Sequence, residues 1–181
     1  MGYAMISYNS NGAEVFGVFT SAGGILPPDV LDKMLRTIAS TLTAAIHDRV
    51  HVNGLDSNEQ PIGTYTPGYM KVRTNTFKSS KIVRGVNKGQ ARKKYNRTAD
   101  TKVILSLTRQ MENDLSVCEQ NPFKTDYGYA IGYQNDLNFV KIQENEKRYG
   151  KAILTRLSKK EEKIVDSIVE KTLNNVSNRG N

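Results

Sequence analysis

The sequence predicts an α+β domain, because two long amphipathic helices enclose shorter segments of β character. Apolar residues recur at helical spacing over residues 29–51 and 159–176. Runs rich in β-branched and aromatic residues occur at residues 13–20, 102–108 and 128–133. We therefore expect a long N-terminal helix and a C-terminal helix packed on a small antiparallel sheet, with a long basic arm inserted between them.

The length of the chain, 181 residues, suits one domain that needs no metal or disulfide to stabilise it. We assign residues 1–26 to an N-terminal extended arm or strand, residues 27–176 to the α+β domain, and residues 177–181 to a loose tail. Cys118 has no cysteine partner and is expected to be an inert thiol. No apolar run approaches the length of about 18 residues that a bilayer span needs, so no membrane partner is expected.

The N-terminal part of the chain predicts one strand and one helix. Residues 13–20 are β-branched and aromatic and are bounded by glycine and asparagine, which is typical of a strand or an extended arm. Pro27 and Pro28 favour the first turn of the helix over residues 29–51. Its apolar stripe requires cover, which we expect from the sheet downstream.

The middle of the chain predicts two strands joined by a short connection. Residues 102–108 place Val103 and Leu105 on one face of a strand. Residues 109–117 predict a short helical turn or linker, and residues 128–133 predict a second strand. The two strands are expected to pair in an antiparallel sheet.

The last part of the chain predicts two more helices. Residues 135–149 predict a helix that stops at Gly150, and residues 152–157 predict a third strand. Ser158 and Glu161 have the spacing of a capping box at the start of the final helix.

Positive charge is concentrated in residues 60–99, which carry ten Lys and Arg and no acidic residue. These ten cations exceed the net charge of +8, so the rest of the chain is slightly acidic. The segment has few aliphatic residues, and connections of this length tend to be functional or disordered. We expect a basic arm that orders against a partner, with the candidate contact residues Lys71, Arg73, Lys78, Lys81, Arg84, Lys88, Arg92, Lys93, Lys94 and Arg97.

The partner of this basic arm is open at the level of sequence. Tyr65, Tyr69, Phe77 and Tyr95 lie among the cations, and this composition suits a phosphate backbone with occasional base stacking. Basic arms also dock on acidic faces of neighbouring subunits, and some remain solvated loops.

Enzymatic motifs are not evident, and we expect neither a catalytic site nor a cofactor. His47 and His51 lie one helical turn apart, as in an HExxH zinc helix. Asp48 replaces the glutamate, and a third histidine ligand is lacking, so a carboxylate or Cys118 would have to complete the site. A helix end where His and Arg complement the dipole explains the pattern better.

Three segments resemble signatures of bacteriophage tail-completion and virion-morphogenesis proteins, a group of head-to-tail neck proteins with tail-terminator-like members. Residues 49–66, RVHVNGLDSNEQPIGTYT, follow the first helix and are similar to the signature R-I-x-x-x-G-x-D-x-x-G-x-x-I-G-x-Y-S. Residues 101–115 and 127–133 resemble the strand-turn and Y-G-x-x-I-G elements that follow. The signature residues matched are Arg49, Gly54, Asp56, Ile62, Gly63 and Tyr65.

Two departures from these signatures concern turns. Glu59 occupies a position where the family often has glycine, and Arg109-Gln110 replaces a Ser-Gly or Thr-Gly pair. The turn after the strand over residues 102–108 is therefore expected to be built differently.

The resemblance implies a non-enzymatic structural protein of the virion, assembled in the bacterial cytoplasm. It implies a homo-oligomeric ring, six- or twelvefold, that joins the portal complex, other neck proteins and the tail around the DNA channel. Nonspecific contact of the basic arm with packaged DNA is consistent with this role. The alternative is a stand-alone, sequence-nonspecific nucleic-acid-binding protein.

Overall fold

The computed structural model describes residues 4–10, 13–19, 26–95, 97, 99–106, 108–118 and 129–178. These residues form a mixed α and β structure, so the α+β class is confirmed. The strands are β1 (Ala4–Ser10), β2 (Ala13–Phe19), β3 (Leu115–Cys118) and β4 (Ala130–Tyr133). The helices are α1 (Pro28–His47), α2 (Pro67–Thr74), α3 (Gln110–Asp114), α4 (Asp136–Tyr149) and α5 (Lys159–Ser177).

The strands form one antiparallel sheet in the order β1-β2-β4-β3. Ile131 of β4 is in register with Phe16 of β2 and with Val117 of β3. Strand β1 was not predicted, although Asn11-Gly12 between two β-rich runs is a hairpin signal in the sequence. The sheet therefore joins the N-terminal hairpin to the centre of the chain.

Helix α1 has Pro28 in its first turn and buries one face, as predicted. A π-helical turn, Asp48–Val52, continues it to the expected end. The helix packs against strands β2, β3 and β4 and against α5. The expected cover of the apolar stripe by the sheet is therefore confirmed, and α5 shares in it. The buried residues of α1 are Leu31, Met34, Leu35, Ile38, Ala39, Leu42 and Ile46.

The two C-terminal helices are confirmed together with their end signals. Helix α4 ends at Gly150, which has φ +61° and closes the helix in the left-handed conformation. Ser158 and Glu161 form both bonds of the capping box at the start of α5. Residues 179–181 of the predicted tail lie outside the described residues, and Ser177 belongs to α5.

The strand predicted over residues 102–108 is wrong. Lys102 forms only an isolated bridge with Thr64, and Leu105 has φ +43°, which interrupts extended backbone. The backbone N–H of Val103 donates to the carbonyl of Gly63 at 3.0 Å, so this segment pairs with an irregular loop. Alternating apolar residues do not reveal which partner a segment has.

The strand predicted over residues 152–157 is also wrong. The backbone N–H groups of Ile153, Leu154 and Thr155 all donate to Oε1 of Glu146, at 2.6, 2.8 and 3.1 Å. One carboxylate therefore satisfies the donors that a sheet would otherwise have used.

The basic segment is not an arm over its whole length. Residues 61–75 pack on the body and include the buried Ile62 and helix α2. The missed helix signal is Thr66 followed by Pro67, an N-cap and a proline in the first turn. Within the described part of this segment, residues 76–95 form a long loop, which we call the basic loop.

Among the described residues, no helix combines the length and the apolar character needed to cross a membrane.

Candidate functional site

The six signature residues lie in one segment, residues 49–66, which runs from the end of α1 into a loop. The N–H of Ile62 donates to the carbonyl of Gly54 at 2.9 Å, and the N–H of Tyr65 donates to the carbonyl of Thr101 at 2.7 Å. These bonds fold residues 53–66 back against residues 101–104. We call the set Arg49, Gly54, Asp56, Ile62, Gly63 and Tyr65 the signature cluster.

Arg49 ties the end of α1 to the start of α5. Its Nε donates to Oε1 of Glu161 at 2.7 Å, and the two side chains are only 6% and 2% exposed. Its Nη1 donates to the carbonyls of Ile153, at 2.9 Å, and Leu55, at 3.3 Å. A buried guanidinium requires such partners, so this arginine has a structural role rather than a surface one.

The two glycines of the signature cluster are sites of close approach. A Cβ on Gly54 would lie 2.2 Å from the carbonyl oxygen of Val103, and Gly54 has φ +60°. A Cβ on Gly63 would lie 2.8 Å from the ring of Tyr149. The absence of a side chain at Gly54 therefore leaves room for the Val103 backbone, and its absence at Gly63 leaves room for the Tyr149 ring.

Asp56 organises the turn that contains Glu59. Its Oδ1 accepts the backbone N–H of Asn58 at 2.8 Å and of Gln60 at 2.9 Å, and Lys151 lies 3.6 Å from Oδ2. Glu59 has φ +60°, a conformation that favours glycine. A hydrogen bond and the charge of Lys160, 2.8 Å away, lower the pKa of the Glu59 carboxyl.

Tyr65 and Arg73 form a second buried link. The Tyr65 hydroxyl accepts the backbone N–H of Ile104 at 3.1 Å and lies 3.3 Å from Nη1 of Arg73, whose guanidinium stands 4.4 Å from the Tyr65 ring centre. Nη1 also donates to the carbonyl of Ser106 at 2.6 Å. Arg73 is 1% exposed, so its prediction as a surface contact residue is wrong.

His51 was considered as a metal ligand, but the structure gives it a tyrosine partner. Its Nε2 lies 3.1 Å from the buried hydroxyl of Tyr133. Burial, assisted by the nearby His47, lowers the pKa of His51 to about 4. No group of three metal-ligating side chains occurs in the part of the chain that the structure describes.

The basic loop folds back on itself as an irregular hairpin. Lys81 bridges Ala91, and the N–H of Ile82 donates to the carbonyl of Gln90 at 2.9 Å. At its base, the Arg92 guanidinium lies 3.9 Å from the ring centre of Phe77. This cation–π contact fixes the two ends of the loop to each other.

The candidate contact cations fall into two groups. Arg92 and Arg97 are half-buried, and Nη2 of Arg97 donates to the hydroxyl of Ser106 at 2.8 Å. Arg97 and the buried Arg73 both bond to Ser106 and hold the basic segment on the body, whereas Arg92 bonds within the basic loop. The others are exposed, and they are Lys71, Lys78, Lys81, Arg84, Lys88, Lys93 and Lys94. Sequence alone could not separate these groups because composition counts all cations alike.

No protein-family model, curated protein or solved structure matches this chain.

Proposed function

We propose that the protein is a structural, non-enzymatic component of a tailed-bacteriophage virion that forms a ring in the head-to-tail neck. It would join the portal complex to the tail around the DNA channel. The observation that carries this proposal is that each of the six signature residues makes a specific contact or close approach in the fold. Residues of one short segment lie near one another in any fold, so the support comes from these specific contacts and not from proximity.

One of the two departures from the signature also favours the proposal. Glu59 adopts φ +60° at a position where the family often has glycine, so the turn has the backbone that glycine would favour. The pair Arg109-Gln110 behaves differently, because the left-handed φ of +62° falls on Arg109 and the glycine position, Gln110, begins helix α3. Only the turn at Glu59 therefore suits the signature.

The remaining features suit a ring subunit. The packing of α1 on α5 and the sheet makes a rigid body that can set the curvature of a ring. The basic loop takes the role expected of the arm, because its exposed cations can meet an acidic face of a neighbour or the phosphates of DNA. Heterologous contacts of this kind close into rings when the rotation between subunits allows it.

Negative-stain electron microscopy of the full chain, alone and mixed with portal and neck proteins, tests the proposal. Rings, or density added to the portal, are the expected result. Small particles in both samples that bind DNA tightly, with an affinity that falls steeply with salt, would instead indicate the stand-alone nucleic-acid-binding protein. Small particles that bind neither portal nor DNA would contradict both functions.

A further inference from the structure

A pocket of about 590 Å³ opens beside the signature cluster. One wall is residues 64–69, the second is Leu105 with residues 108–111, and the third is one side of α4. Met111 is buried beneath it, and Leu105 is half-buried. The volume lies within the range of roughly 300–1,000 Å³ that small-molecule sites occupy.

The pocket carries more positive charge than the ion pairs around it neutralise. Arg109, Lys141 and Arg148 line it, and no carboxylate is among its lining residues. Arg109 pairs with Glu112, whose Oε2 lies 3.9 Å away, and Lys141 Nζ donates to the Asn138 amide oxygen at 2.8 Å, while the amide nitrogen of Asn138 donates to Asp114. The ion pairs of the described residues do not include Lys141 or Arg148. The site therefore attracts an anion.

Three tyrosines, Tyr65, Tyr69 and Tyr149, supply aromatic surface to the same pocket. The ring centres of Tyr65 and Tyr69 are 4.9 Å apart. Tyrosine hydroxyls are protonated at neutral pH and do not repel an anion, and burial raises the pKa of both of these hydroxyls further. Aromatic rings beside cations recognise ligands that have both a planar ring and a phosphate.

The three walls are fixed to one another before any ligand binds. The Tyr65 hydroxyl accepts the N–H of Ile104 at 3.1 Å, which joins the first wall to the loop that forms the second. The ring of Tyr149 fits over Gly63, which joins the first wall to α4. Leu105 and Arg109, both in the second wall, have φ +43° and +62°, and strained residues of this kind cluster at functional sites. A preorganised pocket binds with less loss of entropy.

We propose that this pocket binds a nucleotide unit, with the phosphate held by Lys141 and Arg148 and the base against the tyrosine rings. The unit is either a free mononucleotide or a nucleotide within a single DNA strand. The inference does not depend on the neck function. It assigns a role to Lys141, Arg148 and Tyr149, none of which the sequence analysis singled out.

Isothermal titration of the full chain with dAMP, inorganic phosphate and a short single-stranded oligonucleotide tests the proposal. The pocket variant is Lys141→Gln with Arg148→Gln. The control variant is Lys88→Gln with Lys93→Gln, which removes the same charge from exposed positions of the basic loop. Circular dichroism establishes that each variant is folded.

We expect dAMP to bind at least about tenfold more tightly than inorganic phosphate, because base stacking adds to the phosphate contacts. The pocket variant should weaken dAMP binding by about tenfold or more, since charged hydrogen bonds are lost, and the control should not. If the oligonucleotide binds and dAMP does not, the oligonucleotide affinity of the two variants is compared. A larger decrease in the pocket variant than in the control supports the same pocket, with a nucleotide within the DNA strand as its ligand.

Three results would overturn the proposal. The first is that neither dAMP nor the oligonucleotide binds the wild-type protein. The second is that inorganic phosphate binds as tightly as dAMP. The third is that the control variant loses as much oligonucleotide binding as the pocket variant, because the basic loop would then account for it. Tyr69→Leu adds a check on stacking and should weaken dAMP binding but not phosphate binding.

Discussion

Arg49 and Glu161, which are 112 residues apart in the sequence, form a buried ion pair with 2.7 Å between Nε and Oε1. Oε2 of the same glutamate accepts the backbone N–H of Ser158 at 2.7 Å and completes the capping box of α5. One carboxylate thus caps one helix and neutralises an arginine at the end of another. The start of α5 and the end of α1 are therefore expected to lose their order together.

Replacing one member of this pair should be much more costly than replacing both. Arg49→Met leaves the Glu161 carboxylate buried without its partner and should lower the free energy of unfolding by roughly 3–5 kcal/mol. Arg49→Met with Glu161→Gln removes both charges and keeps an amide oxygen for the cap, so the part of the loss that comes from the unpaired carboxylate should be recovered, while the carbonyls of Ile153 and Leu55 still lack their donor. Urea unfolding followed by circular dichroism measures both variants. Equal losses in the single and the double variant would contradict a coupled pair.

Protonation of His51 should destabilise the protein in mild acid. Burial and then the charge of His47 lower the pKa of His51 from 6.5 to about 4, while Glu112 opposes the shift. Between pH 6.5 and 4 the unfolded chain binds a proton at His51 and the folded chain does not. The contribution of neutral His51 to the free energy of unfolding is therefore complete above pH 6.5 and is lost as the pH falls toward 4. The loss amounts to roughly 3 kcal/mol. The measurement is the urea midpoint between these two pH values.

His51→Gln is the control for this pH dependence, because glutamine can bond to the Tyr133 hydroxyl but does not titrate in this range. The variant should show a flatter dependence than the wild type between pH 6.5 and 4. Parallel curves would assign the acid sensitivity to other groups.

Alanine at three glycines should have three different effects. Gly54→Ala places a Cβ against the Val103 carbonyl at φ +60° and should cost roughly 2–5 kcal/mol. Gly63→Ala meets the Tyr149 ring, a side chain that can move, so its cost should be smaller. Gly68→Ala in α2 meets nothing within 4 Å and should stabilise the protein by up to about 1 kcal/mol. Thermal unfolding ranks the three, and a different order would contradict the packing of residues 53–66.

The sequence predicted the elements that local signals determine and missed those that depend on distant partners. Helix α5 was located because Ser158 and Glu161 are three residues apart and bond to each other. The backbone donors of Ile153 find their acceptor in Glu146, on another element, so residues 152–157 resembled a strand. Arg73 was grouped with the exposed cations because only the folded chain brings Tyr65 and Ser106 to it.

Glycine at position 59 should relieve local strain. Glu59 has φ +60° and pairs with the exposed Lys160, so substitution removes both the strain and the ion pair. Glu59→Ala removes the ion pair alone. Glu59→Gly should therefore be more stable than Glu59→Ala by about 1 kcal/mol, the cost of the left-handed conformation in a residue with a Cβ. Denaturant midpoints compare the two, and an alanine variant at least as stable as the glycine variant would contradict the backbone of this turn.

Charge reversal in the basic loop should prevent assembly without unfolding the protein. Arg84, Lys88 and Lys93 are exposed, so Glu at all three should leave the circular dichroism spectrum and the unfolding midpoint nearly unchanged. Arg92 is left intact because its guanidinium stacks on Phe77. If the loop meets an acidic neighbour or DNA, the variant should lose ring formation or portal binding.

The matched control for this reversal changes Lys159, Lys163 and Lys171 of α5 to Glu, which reverses an equal number of exposed charges outside the basic loop. This control should assemble as the wild type does, since its basic loop is intact. Negative-stain electron microscopy and sedimentation compare the two variants with the portal present. Because exposed charges are screened by ions, raising the salt concentration should weaken wild-type assembly in the same direction as the loop variant. Assembly of the loop variant at wild-type yield would show that contacts other than the basic loop hold the ring together.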